Sequence, residues 1–127
     1  MTIREKIELL KAEPTPNRDL VDYYYNLLET MDSMKYNYNE FMTTAPIECD
    51  EELKRVVTAD YDLCCALLTM LLREDHFSGY GCFDNRYRNG DVQRIIERMI
   101  VVLQEKDAEV KRQLSGREAE YLMFMDD

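Results

Sequence analysis

DLCCALLTMLLREDHFSGYGCFDNRYRNGDVQRIIERM, residues 62–99, sets two apolar helical stripes on either side of one glycine-punctuated connector. Upstream of the connector, Leu53, Val56, Val57, Cys64, Leu67, Leu68 and Leu71 recur at helical spacing, which predicts a helix over 51–74 capped by Asp50. CCALLTMLL within it has so little polarity that its second half must lie at the centre of a core. Downstream, Val92, Ile95, Ile96, Met99, Val102 and Leu103 form the inward stripe of a second helix, started by Asp91 and running to Leu114. Ser115-Gly116 should end it, leaving REAEYLMFM as a short final helix. Between the two stripes, Cys82 to Arg88 is long enough for one or two turns that stop at Gly90 in a left-handed conformation.

Toward the N-terminus, Thr2 followed by Glu5 reads as a capping box, and Ile3, Ile7 and Leu10 give a first helix over about 2–12. Pro14 and Pro16 end it, and Thr15 with Pro16 should start another. From Asn17 to about Lys35, Leu20, Tyr24, Leu27, Leu28, Met31 and Met34 mark a broad apolar face, opposed by Asp19, Asp22, Asn26, Glu29 and Asp32. YNYNEFMTTAPIEC then forms an irregular connection. No segment alternates as a strand does. The expected fold is all-α: one domain over 1–127, a compact bundle of four main helices, a connector helix and a short C-terminal helix.

With 127 residues the chain can bury a core without staples. Its net charge of −10 is distributed as −5 over residues 1–50, −2 over 51–90 and −3 over 91–127. An acidic chain without a Lys/Arg run is poorly suited to bind nucleic acid directly and suits basic partners. MTIREKIELLK lacks the apolar run of a signal peptide, and no stretch approaches the roughly 18 apolar residues needed to cross a bilayer. Cys49, Cys64, Cys65 and Cys82 do not have the spacing of a disulfide scaffold. They are read as reduced thiols of a cytoplasmic protein with no membrane role.

The connector over 74–90 holds the only histidine, His76, beside Asp75, Cys82 and Asp84. Such donors can ligate a divalent cation, but structural metal sites need paired ligands at short spacing, so no metal and no cofactor are expected. A Cys82–His76 nucleophile and base would need a third orienting group that the spacing does not supply. GYG at 79–81 lacks the strand, helix and lysine of a phosphate loop. Asp60 falls on the inward face of the predicted 51–74 helix, where an unpaired charge is costly. It is assigned a bond to a tyrosine or an arginine, with a functional carboxylate as the alternative. No catalytic residue is assigned.

The feature that points to a partner is the acidic side of the second helix. Asp19, Asp22, Glu29 and Asp32 recur at intervals of three and seven, spanning roughly 20 Å at about 1.5 Å per residue, a series able to imitate phosphates. Tyr25, Tyr36 and Tyr38 add aromatic surface of the kind enriched in binding hot spots. These seven residues are the expected partner-binding set.

LTMLLREDHFSGYGCFDNRYRNGDVQRIIERM resembles an uncharacterised family of small bacterial helical domains with an Arg-rich helix end, an aromatic-glycine connector and an NG-initiated helix. The resemblance covers the middle third of the chain, leaves the acidic N-terminal third outside, and implies a bacterial or phage origin. In size and acidity the chain is similar to anti-CRISPR inhibitors. The expected function is a non-enzymatic interaction protein, an anti-defence inhibitor that competes for the basic nucleic-acid-binding surface of a partner. The rival expectation is a small-ligand or metal-binding domain using the His76–Cys82 connector. Neither reading excludes a homo-oligomer.

Overall fold

The computed structural model describes residues 1–79 and 81–125, with side-chain surroundings through Leu114. Its helices are α1 (Ile3–Lys11), α2 (Leu20–Thr30), α3 (Cys49–Leu53), α4 (Tyr61–Ser78), α5 (Cys82–Arg88) and α6 (Asp91–Met125). Short 3-10 segments occupy Tyr38–Phe41 and Lys54–Thr58. Among the described residues there is no strand, so the fold is all-α.

The centre is α4. Every residue from Cys64 to Leu72 is buried, so this helix is covered on all sides, as the apolar run CCALLTMLL requires. It packs against α2, α3, α5, α6 and both 3-10 segments, while α1 lies along α6. From α6, Val92, Ile95, Ile96, Met99 and Leu103 complete the same core. The buried Thr69 does not leave its hydroxyl unpaired: it donates to the Cys65 carbonyl at 2.8 Å.

Several helix ends follow the sequence. The Thr2 hydroxyl accepts from the Glu5 N–H at 3.1 Å while the Glu5 carboxylate accepts from the Thr2 N–H at 3.3 Å, so the capping box at α1 is closed in both directions. Gly90 takes a φ of +85°, the left-handed position expected beyond α5.

Five boundaries differ from the sequence reading. The helix expected over 51–74 is broken: α3 stops at Leu53, a 3-10 segment follows, and Ala59 is extended. Asp60 is consequently exposed, not inward, and is the N-cap of α4, its carboxylate accepting from the Leu63 N–H at 2.8 Å. Arg98 of α6 holds the break by donating to the Ala59 carbonyl at 2.8 Å. At its own start, α3 is preceded by Glu48, so Asp50 lies inside the first turn instead of capping it.

Helix α2 starts later and ends earlier than expected. Pro16 and Asn17 form a turn closed by the Arg18 N–H donating to the Thr15 carbonyl, and Asp19 is the cap, accepting from the Asp22 N–H at 3.0 Å. At the other end, Ser33 N–H bonds the Leu28 carbonyl at 2.9 Å and Asp32 N–H the Glu29 carbonyl at 3.0 Å. That is a Schellman ending with Asp32 in the left-handed position at φ +52°. Asp tolerates this conformation better than most non-glycine residues, which is why the apolar periodicity through Met31 and Met34 did not extend the helix. Finally, Ser115-Gly116 does not end α6, which continues as one helix to Met125. Glycine inside a helix costs only about 1 kcal/mol, so a single glycine does not by itself force a break.

Glu52 is the buried charge that the sequence reading missed. Fully covered, it accepts from the Thr43 N–H at 2.8 Å and the Thr44 N–H at 3.2 Å, from the Thr43 hydroxyl, and from Arg55 at 3.2 Å. Burial acts to raise its pKa, but the Thr43 bonds and Arg55 outweigh it and hold the carboxyl below its ordinary 4.5. A carboxylate with a lowered folded pKa stabilises the fold above its unfolded pKa, and that contribution is lost as pH falls through the folded value. The thermal midpoint should therefore drop between about pH 6 and about pH 3, and Glu52→Gln should flatten that limb. Leu68→Ala should cost about 2–5 kcal/mol in denaturant unfolding and Asp60→Ala about 1 kcal/mol. Equal costs would contradict placing Leu68 in the core and Asp60 at a surface cap.

Candidate functional site

Two hollows meet above the C-terminal half of α4. The larger, about 610 Å³, is bordered by Ile47, Glu48, Cys49, Asp50 and Glu51, by Met70, Glu74 and Ser78, and by Arg86. The smaller, about 240 Å³, is bordered by Tyr25, Met34, Tyr36, Thr69 and Leu72. Tyr38, Arg73 and Phe77 line both. Helical spacing places Arg73 and Phe77 one turn apart, and the Arg73 guanidinium lies over the Phe77 ring at 5.1 Å. Phe77 and Tyr36 are each about 70% exposed (71% and 72%), an unusual outlay of apolar surface for a small domain.

The predicted partner-binding residues divide along this geometry. Asp22, Tyr25 and Glu29 lie on one exposed side of α2, Asp22 and Glu29 about 10 Å apart by helical rise. Tyr36 folds back over them and donates to the Glu29 carboxylate at 2.6 Å. Its bonds to Glu29 and to Tyr25 push the Tyr36 phenol well above its ordinary pKa. Tyr38 is half-buried between the hollows. Asp32 is exposed in the turn after α2 and is not on the helix. Asp19 is exposed at the opposite end of α2, committed to its cap, beside a separate hollow shared with Arg88. The structure therefore gathers Tyr25, Glu29, Tyr36 and Tyr38, keeps Asp22 beside Asp19 at the start of α2, and sets Asp32 apart because α2 is shorter than its apolar periodicity.

The connector residues have other duties. Asp75 accepts from the Phe83 N–H at 2.9 Å, and so caps α5, whose own N-cap, Gly81, has no side chain to offer. His76 is exposed and stands edge-on to Phe77 at 5.1 Å. Cys82 is half-buried at the first position of α5, and Asp84 is exposed. Among the described residues no three His, Cys, Asp or Glu side chains are grouped closely enough to hold a metal ion. Phe83, wholly buried against Tyr24 at 5.7 Å, is what fixes the connector.

Arg86 organises the acidic wall of the larger hollow. Its guanidinium forms a two-point bond with Glu74 at 2.9 and 2.8 Å and reaches Asp50 at 2.6 Å and Asp91 at 3.1 Å. One cation thus joins α3, α4, α5 and α6, an arrangement that suits the planar fork of arginine and not lysine. It holds the Asp50 and Glu74 carboxyls below their ordinary range. Cys49 borders the same wall, where burial and a bond to Glu74 push its thiol up to about 12. Burial likewise raises Cys64 to about 12 and Cys65 to about 11. These three thiols stay protonated near neutral pH, which makes them packing groups and poor nucleophiles. Among the described residues no helix is long and apolar enough to cross a membrane.

Residues 4–105 match a family of unknown function, DUF6508, and the chain belongs to it. The match reaches beyond the middle third and takes in the acidic α2, which the sequence resemblance left outside. No curated protein and no solved structure matches the chain.

Removing Arg86 leaves the half-buried Glu74 without its cation, whereas Asp91 keeps Arg94 at 2.9 Å. Arg86→Met should destabilise by about 3 kcal/mol in urea unfolding, and Arg86→Met with Glu74→Gln should recover part of the loss. Additive costs would show that the two residues do not act as one unit.

Proposed function

We propose that this member of the DUF6508 family is a non-enzymatic interaction protein whose acidic and aromatic α2 face docks on a basic partner. The observation that carries this reading is the exposed cluster of Tyr36 on Glu29 with Tyr25 beside it and Asp22 two turns away. Helix α2 contains no lysine or arginine to neutralise it. Carboxylates give long-range attraction for a Lys/Arg-bearing surface, and tyrosine faces then accept the cationic side chains at short range. The Tyr36–Glu29 bond holds both side chains in place before the partner arrives, which lowers the ordering cost of association.

An anti-defence inhibitor that competes with nucleic acid for a basic channel is the specific form of this activity. Its support is the size and acidity of the chain together with the spacing of Asp22 and Glu29. The partner is then a nucleic-acid-binding protein, the protein itself does not contact nucleic acid, and its place of action is the cytoplasm.

A fluorescent peptide rich in arginine and tyrosine tests the surface chemistry directly. Binding should weaken steeply as the screening length shortens from about 10 Å at 0.1 M salt to about 3 Å at 1 M. Asp22→Asn, Glu29→Gln and Asp32→Asn together should slow association about tenfold with an unchanged circular dichroism spectrum, since Asn accepts the left-handed position of residue 32 at least as well as Asp. Tyr36→Phe should speed dissociation. If the triple variant binds with the same affinity and salt dependence, the α2 carboxylates are only a solvated face.

A further inference from the structure

The smaller hollow differs in chemistry from the acidic surface around it. In a chain of net charge −10, the only charged residue lining this 240 Å³ cavity, among the described residues, is Arg73. Four aromatic rings, Tyr25, Tyr36, Tyr38 and Phe77, form much of its wall, and Leu72 is buried beneath. The neighbouring hollow is lined by Glu48, Asp50, Glu51 and Glu74, and Arg86 is already bonded to two of these, Asp50 and Glu74. Glu29 is the acid nearest the rim on the α2 side, and it is engaged by the Tyr36 hydroxyl.

Arg73 itself has no carboxylate partner among the described residues. Its guanidinium instead lies over the Phe77 ring, 5.1 Å from the centroid. A guanidinium placed over an aromatic ring retains N–H groups for a two-point bond to a carboxylate. An apolar aromatic pocket with one polar anchor is the usual construction of a small-molecule site. The volume lies below the roughly 300 Å³ lower end of drug-sized sites, which selects a ligand of one or two rings.

We propose that this cavity binds a small aromatic carboxylate, with the ring between the tyrosines and Phe77 and the carboxylate on Arg73. The site goes beyond the docking surface proposed above: the two share Tyr25 and Tyr36, but the cavity selects an anion and the α2 face a cation. Substitution of Arg73 therefore separates them. The exposed Arg73 and Phe77 are also dispensable for the core, so their variants should fold.

The test uses the full chain and three probes of nearly equal shape, benzoate, benzamide and benzamidinium, followed by amide-resolved NMR titration. Benzoate should give saturable shifts centred on Thr69, Leu72 and Phe77, with benzamide at least tenfold weaker and benzamidinium without effect there. Arg73→Gln should reduce benzoate affinity at least tenfold and bring it level with benzamide. Arg73→Lys should recover part of the loss, and Phe77→Leu should weaken both probes together. The proposal is overturned if benzamidinium binds tighter than benzoate, which would make the rings a cation cage. It is equally overturned if benzoate binding survives Arg73→Gln, or if no probe saturates at these residues. An unchanged peptide affinity in Arg73→Gln would leave the α2 surface standing whatever the fate of the cavity.

Discussion

Helix α4 between Cys64 and Leu72 exposes no side to solvent, and the other elements are arranged to satisfy that requirement. A helix apolar all round is stable only when neighbours cover it completely. Here α6 and α2 do so with long amphipathic faces, and the short α3, α5 and 3-10 segments close the remaining sides. The chain between helices is thus part of the cover, which explains why segments that read as linkers in the sequence carry so many side-chain bonds.

Those bonds are made by a few charged residues placed where the backbone breaks. Glu52 gathers the N–H groups of Thr43 and Thr44, Arg98 takes the carbonyl of Ala59, and Asp75 caps α5 from a neighbouring helix. Each meets a backbone group that helix or sheet does not pair, and such groups are costly when covered from water. Arg86 acts between whole helices in the same way. A covered ion pair of this sort adds little over an apolar contact, but it penalises any packing that separates its partners.

The surface above the C-terminal half of α4 combines two opposed chemistries at close range. Tyr25 and Tyr36 form a boundary, with the Asp22 and Glu29 carboxylates on one side and the Arg73-lined cavity on the other. Tyrosine serves both because its face attracts cations while its body packs against apolar rings. Occupation of the cavity would restrain the same tyrosines that the α2 face presents, so the two proposed activities have a physical route by which to influence one another.

The sequence by itself determined the all-α class, the central place of CCALLTMLL, the inward stripe from Val92 to Leu103, the capping box at Thr2 and the left-handed Gly90. All of these are local, set by periodicity or by side chains three residues from the group they cap. Tertiary structure decided what local pattern cannot encode. Asp60 lies in register with an apolar stripe, yet it caps α4 because the Ala59 carbonyl is held by Arg98, 39 residues away. Likewise, α2 stops at Thr30 although its apolar residues continue in register, since Asp32 turns the chain so that Tyr36 returns over Glu29. The tyrosines and acids of the candidate surface were visible as residue types. That Arg73 and Phe77 would join them, 35 to 55 residues downstream, followed from the packing of α2 and the loop after it on α4, because only the folded chain sets residues so far apart in sequence around one cavity.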